Sequence, residues 1–380
     1  MLRHVVLKIS YLAVLASLMI LTTESTEACL IPVFRFGLEC WPPGDYELIV
    51  FHKGAMSEED ASIVKNLKKP SGEHLSHANF TVHTVDVSGK MPDWLQYLWK
   101  SLKSPKLPLL VVRHPQTIKS YRGSIWSGRL SEDAVRRVLN SPVRQEIVKR
   151  ILGGDAAVWV LVESGNPTKD DAAAKIISEQ LLIMENELTF SPELMDEIVD
   201  IVGDQEISIK FSLIRVSRDD PAEEVFINML MYAEPGLLDL QSSPMVFPVF
   251  VRGRALEALV GKGIKEKFIR EDCEFVIDAC GCEIKEDNPG VDLLIAADWE
   301  AGIGKRWVDE EILLVGSMTL ASRAKSDESS DLTTSASANH ESEINTTSNR
   351  LLRNILITIL AILVVVTAIS LFLKLKRKER

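Results

Sequence analysis

Several signatures of catalytic and nucleotide-binding proteins are missing from this sequence of 380 residues. It has no Gly-x-x-x-x-Gly-Lys-Ser/Thr phosphate loop, no Gly-x-Gly-x-x-Gly turn and no Gly-x-Ser-x-Gly nucleophile elbow. It has only five cysteines, and no two of them form a Cys-x-x-Cys pair. We therefore expect neither P-loop, dinucleotide-binding nor α/β-hydrolase chemistry, and no bound cofactor.

Positive charge is also scarce. The 43 Lys and Arg are outnumbered by 54 Asp and Glu, which gives a net charge of −11. Because phosphate backbones are bound by basic faces, this balance argues against nucleic acid as a partner. Among the seven histidines, His74 and His77 lie three apart, but they follow Pro70-Ser71-Gly72 in a predicted loop. We interpret them as a solvated pair and predict no metal site.

The N-terminus has the pattern of a secretory signal peptide. Arg3 and Lys8 precede an apolar run from Ile9 to Leu21, and Thr26-Glu27-Ala28 resembles a signal-peptidase site. Residues 1–28 are therefore predicted to be removed, which would make Cys29 the first mature residue. Lipidation of Cys29 is the alternative, although Thr26 and Glu27 fit a lipobox poorly.

The C-terminus has the pattern of a membrane anchor. Ile355–Leu373 carries no charge over 19 residues, and a helix over 351–373 is long enough to cross a bilayer. The tail 374–380 holds five basic residues and is predicted to be cytoplasmic. Residues 322–350 lack aromatic side chains and are predicted to form a disordered stalk. We thus expect a single-pass membrane protein whose bulk is extracytoplasmic, on the periplasmic side.

Between these ends, strand-like and helix-like stretches follow the order β-α-β-α-β-β-α twice, over 44–150 and over 151–271. A repeat of about 100 residues predicts two domains. Ser57 and Thr168 are predicted as N-caps of the first helix of each copy. In chain order the stretches are 46–54, 57–67, 80–87, 92–102, 107–115, 118–123 and 131–140, and then 155–165, 168–188, 207–216, 221–233, 247–254, 256–263 and 265–271.

This order resembles the thioredoxin fold. In that family a proline, usually in a cis peptide, immediately precedes the third strand and borders the active site. Leu107-Pro108 stands before "LLVVRH" and Phe247-Pro248 before "VFVRGR". The resemblance implies an α/β class with two tandem thioredoxin-like domains, each a mixed sheet flanked by helices, followed by the transmembrane helix. It also implies that an extended peptide binds in a groove beside Pro108 or Pro248.

The chain departs from thioredoxins where strand one meets helix one, the place of their Cys-x-x-Cys motif. Here the residues are Phe51-His52-Lys53-Gly54-Ala55 in the first copy and Glu163-Ser164-Gly165-Asn166 in the second. His52 and Lys53 are interpreted as a solvated strand end. Without a thiol at either place, we expect no standard dithiol chemistry.

The whole chain is also similar to exported, membrane-anchored proteins of planctomycete-type bacteria. The similarity lies in "CLIPVFRFGLECW", "VFHKG" and "CGCEIKEDNPGVDLLIAADW". It supports the predicted topology and implies no activity.

The cysteines lie in two groups, one in the N-terminal segment 29–43 and one in the extension 272–321, which we expect to pack on the second domain. Cys29 and Cys40 would be about 16 Å apart on a helix, too far for a disulfide between them. Their available partners are Cys273, Cys280 and Cys282. In an oxidising compartment a structural disulfide that clamps the N-terminal segment to this extension is expected.

Two alternatives for the cysteines remain open. Cys280 and Cys282 could form a labile redox pair. A metal site is disfavoured because the spacing is not Cys-x₂₋₄-Cys and the acids Asp278, Glu283 and Glu286 are hard ligands. Because five is odd, at least one thiol is left free, lipidated or intermolecular.

Two further motifs lie near these segments. Asn288-Pro289-Gly290 predicts a turn, and the apolar run after it predicts a strand that ends at Asp298-Trp299. Asp292 and Asp298 are interpreted as part of this turn and strand rather than as catalytic carboxylates. Asn79-Phe80-Thr81 and Asn345-Thr346-Thr347 match a glycosylation sequon that matters only in a eukaryotic host.

Taken together, these features predict a non-catalytic, membrane-tethered binding or scaffold protein with a protein or peptide partner outside the cytoplasm. The alternative is an exported thiol-disulfide oxidoreductase that acts through Cys280 and Cys282.

Overall fold

A computed structural model describes residues 31–69, 75–102, 105–115, 123–202, 208–280, 285–304 and 306–308, all within one compact unit, Ala28–Gly316. It has an α/β fold in which helices pack on mixed sheets, so the predicted α/β class is confirmed. Within these ranges the α-helices are α1 (Val33–Cys40), α2 (Glu58–Lys68), α3 (Asp93–Ser101), α4 (Glu132–Leu139), α5 (Pro142–Leu152), α6 (Pro167–Glu187), α7 (Pro192–Val202), α8 (Glu224–Met231), α9 (Glu266–Ile277) and α10 (Trp299–Gly302).

The strands form two sheets. The first has the order β2-β1-β3-β4, with β1 parallel to β2 and antiparallel to β3. The second has the order β10-β8-β7-β5-β6, with β9 also paired to β7, and repeats this core with β5 parallel to β6 and antiparallel to β7. The strands are β1 (Tyr46–His52), β2 (Phe80–Asp86), β3 (Leu109–Arg113), β4 (Trp126–Arg129), β5 (Ala157–Val162), β6 (Phe211–Val216), β7 (Met245–Phe250), β8 (Arg254–Ala255), β9 (Leu259–Val260) and β10 (Val291–Asp292).

The sheets share one apolar core. On β1, Leu48 and Val50 point into a cluster that also contains Val158 and Val160 of β5. The alternate residue Ile49 points to the opposite face, where it packs beneath α3. This two-residue alternation lets each central strand bury both faces, which explains why β1 and β5 read as continuous apolar runs.

Helix starts follow local capping chemistry. The Ser57 side chain accepts a hydrogen bond from the Asp60 backbone N–H, as predicted for α2. The prediction for α6 is wrong by two residues, because Asn166 rather than Thr168 is its N-cap, and its side chain accepts from the Lys169 N–H. Pro167 then occupies the first helical position, where its missing N–H costs nothing.

Three other boundaries differ from the sequence-based prediction. The sequence pattern β-α-β-α-β-β-α predicts no helix at α5 or α7, and these helices occupy stretches that it assigns to connections. The fourth strand was placed at 118–123, of which 118–122 lie outside the described residues, whereas β4 occupies Trp126–Arg129. The strand predicted to run from 291 to 299 is limited to β10, and Asp298 instead caps α10.

The segment 291–304, which we call the strap, runs from the second sheet to the first, where Ala296 forms a bridge with Ala78 just before β2. It begins as β10, paired with β8 of the second sheet. Its next residues, Leu293, Leu294 and Ile295, are buried, yet none of them belongs to a strand. Because a buried backbone needs hydrogen-bond partners, other groups must satisfy this stretch.

Two buried side chains from the first half of the chain supply much of that bonding. Asn79 donates through Nδ2 to the carbonyls of Leu293 (3.1 Å) and Gly44 (2.7 Å), and its Oδ1 accepts from the Ile295 N–H (2.9 Å). Arg144, at the start of α5, donates to the Leu294 carbonyl (2.6 Å). The predicted sequon at Asn79 is therefore a structural asparagine whose amide is fully engaged in the fold.

We expect Asn79→Ala to lower the free energy of unfolding by about 3 kcal/mol, since it leaves three backbone groups, two of them buried, without their partner. Urea unfolding of the full-length chain measures this. Asn66→Ala, at an exposed position on α2, is the matched control and should change stability by less than about 0.5 kcal/mol. Equal effects of the two substitutions would contradict the role of Asn79.

Candidate functional site

The strand–helix corner of the first sheet, between β1 and α2, is exposed to solvent, and we call it the open corner. Lys53, Gly54 and Ala55 are exposed, and His52 is half-buried. The loop is shaped by Asp86, whose carboxylate accepts the N–H groups of Ser88 (2.9 Å) and Gly54 (3.2 Å). These hydrogen bonds hold the pKa of Asp86 below its usual range. The His52 Nδ1 lies 2.8 Å from the Gly54 carbonyl, so this side chain stabilises the turn after β1.

The corner of the second sheet, between β5 and α6, is closed by a buried carboxylate. Asp170 accepts hydrogen bonds from the Ser164 N–H and hydroxyl, both 2.8 Å, and from the Gly165 N–H at 3.1 Å. Arg218 donates to the Glu163 carbonyl at 3.1 Å. Neither corner carries a thiol, and the N–H groups of Gly54, Ser164 and Gly165 are bonded to carboxylates of the protein itself.

The first predicted groove residue, Pro108, directly precedes β3. Leu107–Pro108 is the cis peptide bond among the described residues. The Pro108 carbonyl accepts the Leu130 N–H (3.0 Å), and both Leu107 and Pro108 are half-buried. Leu107 lies in the same apolar cluster as Trp99 and Leu102, so an apolar lip with accessible surface borders the open corner.

The second predicted groove residue, Pro248, is placed differently from the prediction. It does not precede a strand but lies inside the fully buried β7, opposite Trp159 of β5. The residue that corresponds to Pro108 is Pro244, which directly precedes β7 and whose carbonyl accepts the Gly261 N–H (2.9 Å). The signal that could have revealed it is the turn sequence Ser242-Ser243-Pro244 before the apolar run.

Pro244 lies at a closed edge. It is buried, whereas Pro108 is not. Lys169 of α6 donates from Nζ to the Ser242 carbonyl (2.9 Å) and so joins the helix start to the loop before β7. The two halves of the chain therefore differ at equivalent places, with an accessible edge on the first sheet and a sealed one on the second.

Two of the three cysteines in the described part of the chain are buried. Cys273 on α9 has no exposed surface, and burial raises the pKa of its thiol. Cys280 is 1% exposed, and Cys40 is half-buried at the end of α1. Cys29 and Cys282 lie outside the described residues. A reactive thiol needs access and a lowered pKa, and Cys273 has neither.

Backbone contacts bring the two cysteine-bearing segments together. Pro32 and Ala279 form an antiparallel bridge, in which the Cys280 N–H donates to the Ile31 carbonyl (2.9 Å) and the Val33 N–H to the Asp278 carbonyl (2.9 Å). At the other end of α1, Lys285 donates to the Pro42 carbonyl (2.6 Å). Residues 278–280 thus contact the start of α1, and Lys285 contacts the chain just after its end.

The acidic residues considered in the sequence have structural partners. Asp292 is buried between Arg254 (3.0 Å) and Lys285 (2.8 Å). Burial acts to raise its pKa, but the charges of Lys285 and Arg254 outweigh this, so the pKa lies below its usual range. Asp298 caps α10 and lies 3.4 Å from His77, a contact that sequence spacing did not suggest. His74 lies outside the described residues.

The described ranges contain neither a metal-binding cluster nor a membrane-spanning helix. There, no cluster of three or more His, Cys, Asp or Glu side chains has an arrangement that could hold a metal ion. No helix in the same ranges is long and apolar enough to span a bilayer. The predicted signal peptide, stalk, transmembrane helix and basic tail all lie outside them, as does Asn345.

Comparison with known proteins gives a weak likeness. No family model matches this chain, and neither does any curated protein. A solved structure of the first two thioredoxin domains of Naumovozyma dairenensis Eps1p aligns with 66% of this chain and 98% of its own, at 11% identity and a TM-score of 0.18. A TM-score this low supports no conclusion about function. The similarity to planctomycete-type proteins finds no support here and stays a prediction.

We expect Asp170→Ala to destabilise the chain by about 2–3 kcal/mol, because the amides of Ser164 and Gly165 lose their acceptor. Urea unfolding of the full-length chain provides the measurement. The adjacent Asp171 forms an exposed ion pair with Arg215, so Asp171→Ala is the control and should cost less than about 1 kcal/mol. A larger loss for Asp171→Ala would mean that the corner is not held by Asp170.

Proposed function

We propose that this chain is a non-catalytic binding or scaffold protein built on two degenerate thioredoxin-like domains, over 44–150 and 151–271. The strand orders β2-β1-β3-β4 and β6-β5-β7-β8 support the fold, since each has two parallel strands followed by antiparallel ones. A proline directly before the third strand of each core adds to this support. The function rests mainly on one observation: neither strand–helix corner carries a thiol.

The binding site in this proposal is the edge beside Pro108. Leu107 and Pro108 expose apolar surface next to the open corner, whereas the corresponding edge at Pro244 is buried. An extended peptide could add its backbone and apolar side chains along this edge. Pro248, inside β7, has no part in it.

The tether and the location belong to the same proposal. The apolar stretch 351–373 anchors the chain, with residues 29–350 outside the cytoplasm and 374–380 inside. Outside the cytoplasm, a disulfide between Cys29 or Cys40 and the Cys280/Cys282 pair would stabilise the contact of α1 with residues 278–280.

An oxidoreductase acting through Cys280 and Cys282 is the competing function, and thiol mapping separates the two. We expect full-length protein, recovered in the membrane fraction of an oxidising compartment and alkylated without denaturant, to keep a bond from Cys29 or Cys40 to Cys280 or Cys282. Peptide mass spectrometry without reduction identifies the bond, and mild reductant should leave it intact because Cys280 is buried.

Two results would reverse this assignment. A Cys280–Cys282 bond that opens with one equivalent of mild reductant would favour the enzyme. Recovery of the chain in the soluble fraction after alkaline extraction would contradict the membrane tether.

The binding edge is tested by placing a charge on it. We expect Leu107→Asp to weaken binding of peptides selected from a random extended-peptide library at least tenfold, a loss of about 1.4 kcal/mol. Leu240→Asp, at an exposed leucine in the loop before Pro244, is the matched control and should bind as the parent does. Both affinities come from fluorescence anisotropy. Loss of binding only in Leu240→Asp would move the site to the second sheet.

A further inference from the structure

His114, directly after β3, is a buried histidine whose ring has no polar partner. It is 4% exposed, and within the described part of the chain neither Nδ1 nor Nε2 forms a hydrogen bond. Its ring centroid lies 5.5 Å from that of Tyr46 on β1. Because buried polar groups are nearly always hydrogen-bonded, an unpartnered imidazole of this kind is unusual, and it is stable only as the neutral ring.

Tyr46 connects this histidine to the strap. Its hydroxyl donates to the Asp292 carbonyl at 3.0 Å, and its backbone N–H donates to the Asn79 carbonyl at 3.0 Å. Asn79 in turn accepts the Ile295 N–H. The ring of His114 therefore packs against the residue that joins the first sheet to the strap.

The charged groups around this junction offer a protonated His114 no free counter-ion. The Asp292 carboxylate already accepts from Arg254, Lys285 and the Gly44 N–H. Arg144 of α5 brings a buried guanidinium, and burial lowers its pKa to about 10, so it stays positive at neutral pH. Tyr46 itself stays neutral because burial raises its pKa. Glu47 of β1 is also buried, but its carboxylate is already paired with Arg113, and Asp45 is exposed.

We propose that the attachment of the strap to the first sheet is an acid-sensitive latch, in which His114 takes up one proton from solvent as the strap separates from Tyr46 of β1 and from Asn79. The second sheet keeps its own hold on the strap through the bond from the Leu293 N–H to the Gly253 carbonyl (2.9 Å). Acid would thus free one side of the strap and expose the start of β1.

The direction of the effect follows from the histidine. Burial lowers the pKa of His114 from 6.5 to about 4 in the closed state. The closed state therefore has its full stability relative to the open state above pH 6.5, and this stability decreases as pH falls from 6.5 towards 4. A gap of about 2.5 pH units corresponds to a roughly 300-fold rise in the opening equilibrium at the acid limit, and to roughly 30-fold at pH 5.

Residue-resolved hydrogen exchange on the full-length chain at pH 7 and pH 5, corrected for intrinsic rates, tests this proposal. We expect the Ile295 amide to lose protection roughly 30-fold at pH 5 while the Leu293 amide keeps it. His114→Phe retains an aromatic ring without a titratable nitrogen and should abolish the pH response. His83→Phe, at an exposed histidine on β2, should leave the response unchanged.

Three outcomes would overturn the latch. One is an Ile295 amide equally protected at both pH values, and another is the same pH response in His114→Phe as in the parent. The third is equal loss of protection at Leu293 and Ile295, which would indicate general acid unfolding. His114→Gln, which has no proton to gain, gives the same test if the Phe variant does not fold.

Discussion

The arrangement of the two sheets depends on the hydrogen bonds and ion pairs that the buried carboxylate of Asp292 forms. It is held by Arg254 from the second sheet, by Lys285 from the connection after α9, and by the Gly44 backbone before β1. A buried charge is costly unless its partners are complete, so these three groups must be in place together. This requirement fixes where the strap leaves the second sheet and where β1 begins.

From that fixed point the strap proceeds without a strand partner, and this explains the unusual use of buried polar side chains. Asn79 and Arg144 take the place of a neighbouring strand by bonding to the carbonyls of Leu293 and Leu294. Glu223 plays a comparable part at the start of α5, where it binds the Ser141 hydroxyl and the Val143 N–H. In each case a side chain from one half of the molecule satisfies backbone of the other, so the halves cannot separate without exposing unpaired groups.

Local features were predictable from the sequence because local physics decides them. The cap at Ser57 and the apolar runs of β1 and β5 depend on nearby residues, and the structure has them where the sequence indicates. Asn79 and Pro244 could not be recognised in the same way. Asn79 bonds to residues more than 200 positions away. The turn at Ser242-Ser243-Pro244 is a local signal for the start of a strand, but the pairing of β7 with β5, which makes Pro244 the counterpart of Pro108, is not local. The sequon at Asn79 illustrates the point, since its local pattern suggests a surface site and its partners make it core.

The difference between the two corners is the strongest argument for a binding role confined to the first sheet. In the second half, the Asp170 carboxylate accepts the corner amides, and Lys169 donates to the loop before β7. The polar groups at that end of the sheet are therefore used in bonds within the protein. In the first half, Asp86 and His52 bond to Gly54 in the equivalent loop, and Lys53, Gly54 and Ala55 remain exposed. A protein that used both copies for the same purpose would keep both edges accessible. In the proposed function, the second copy is therefore the support that, through the strap, holds the first copy and its exposed edge in place.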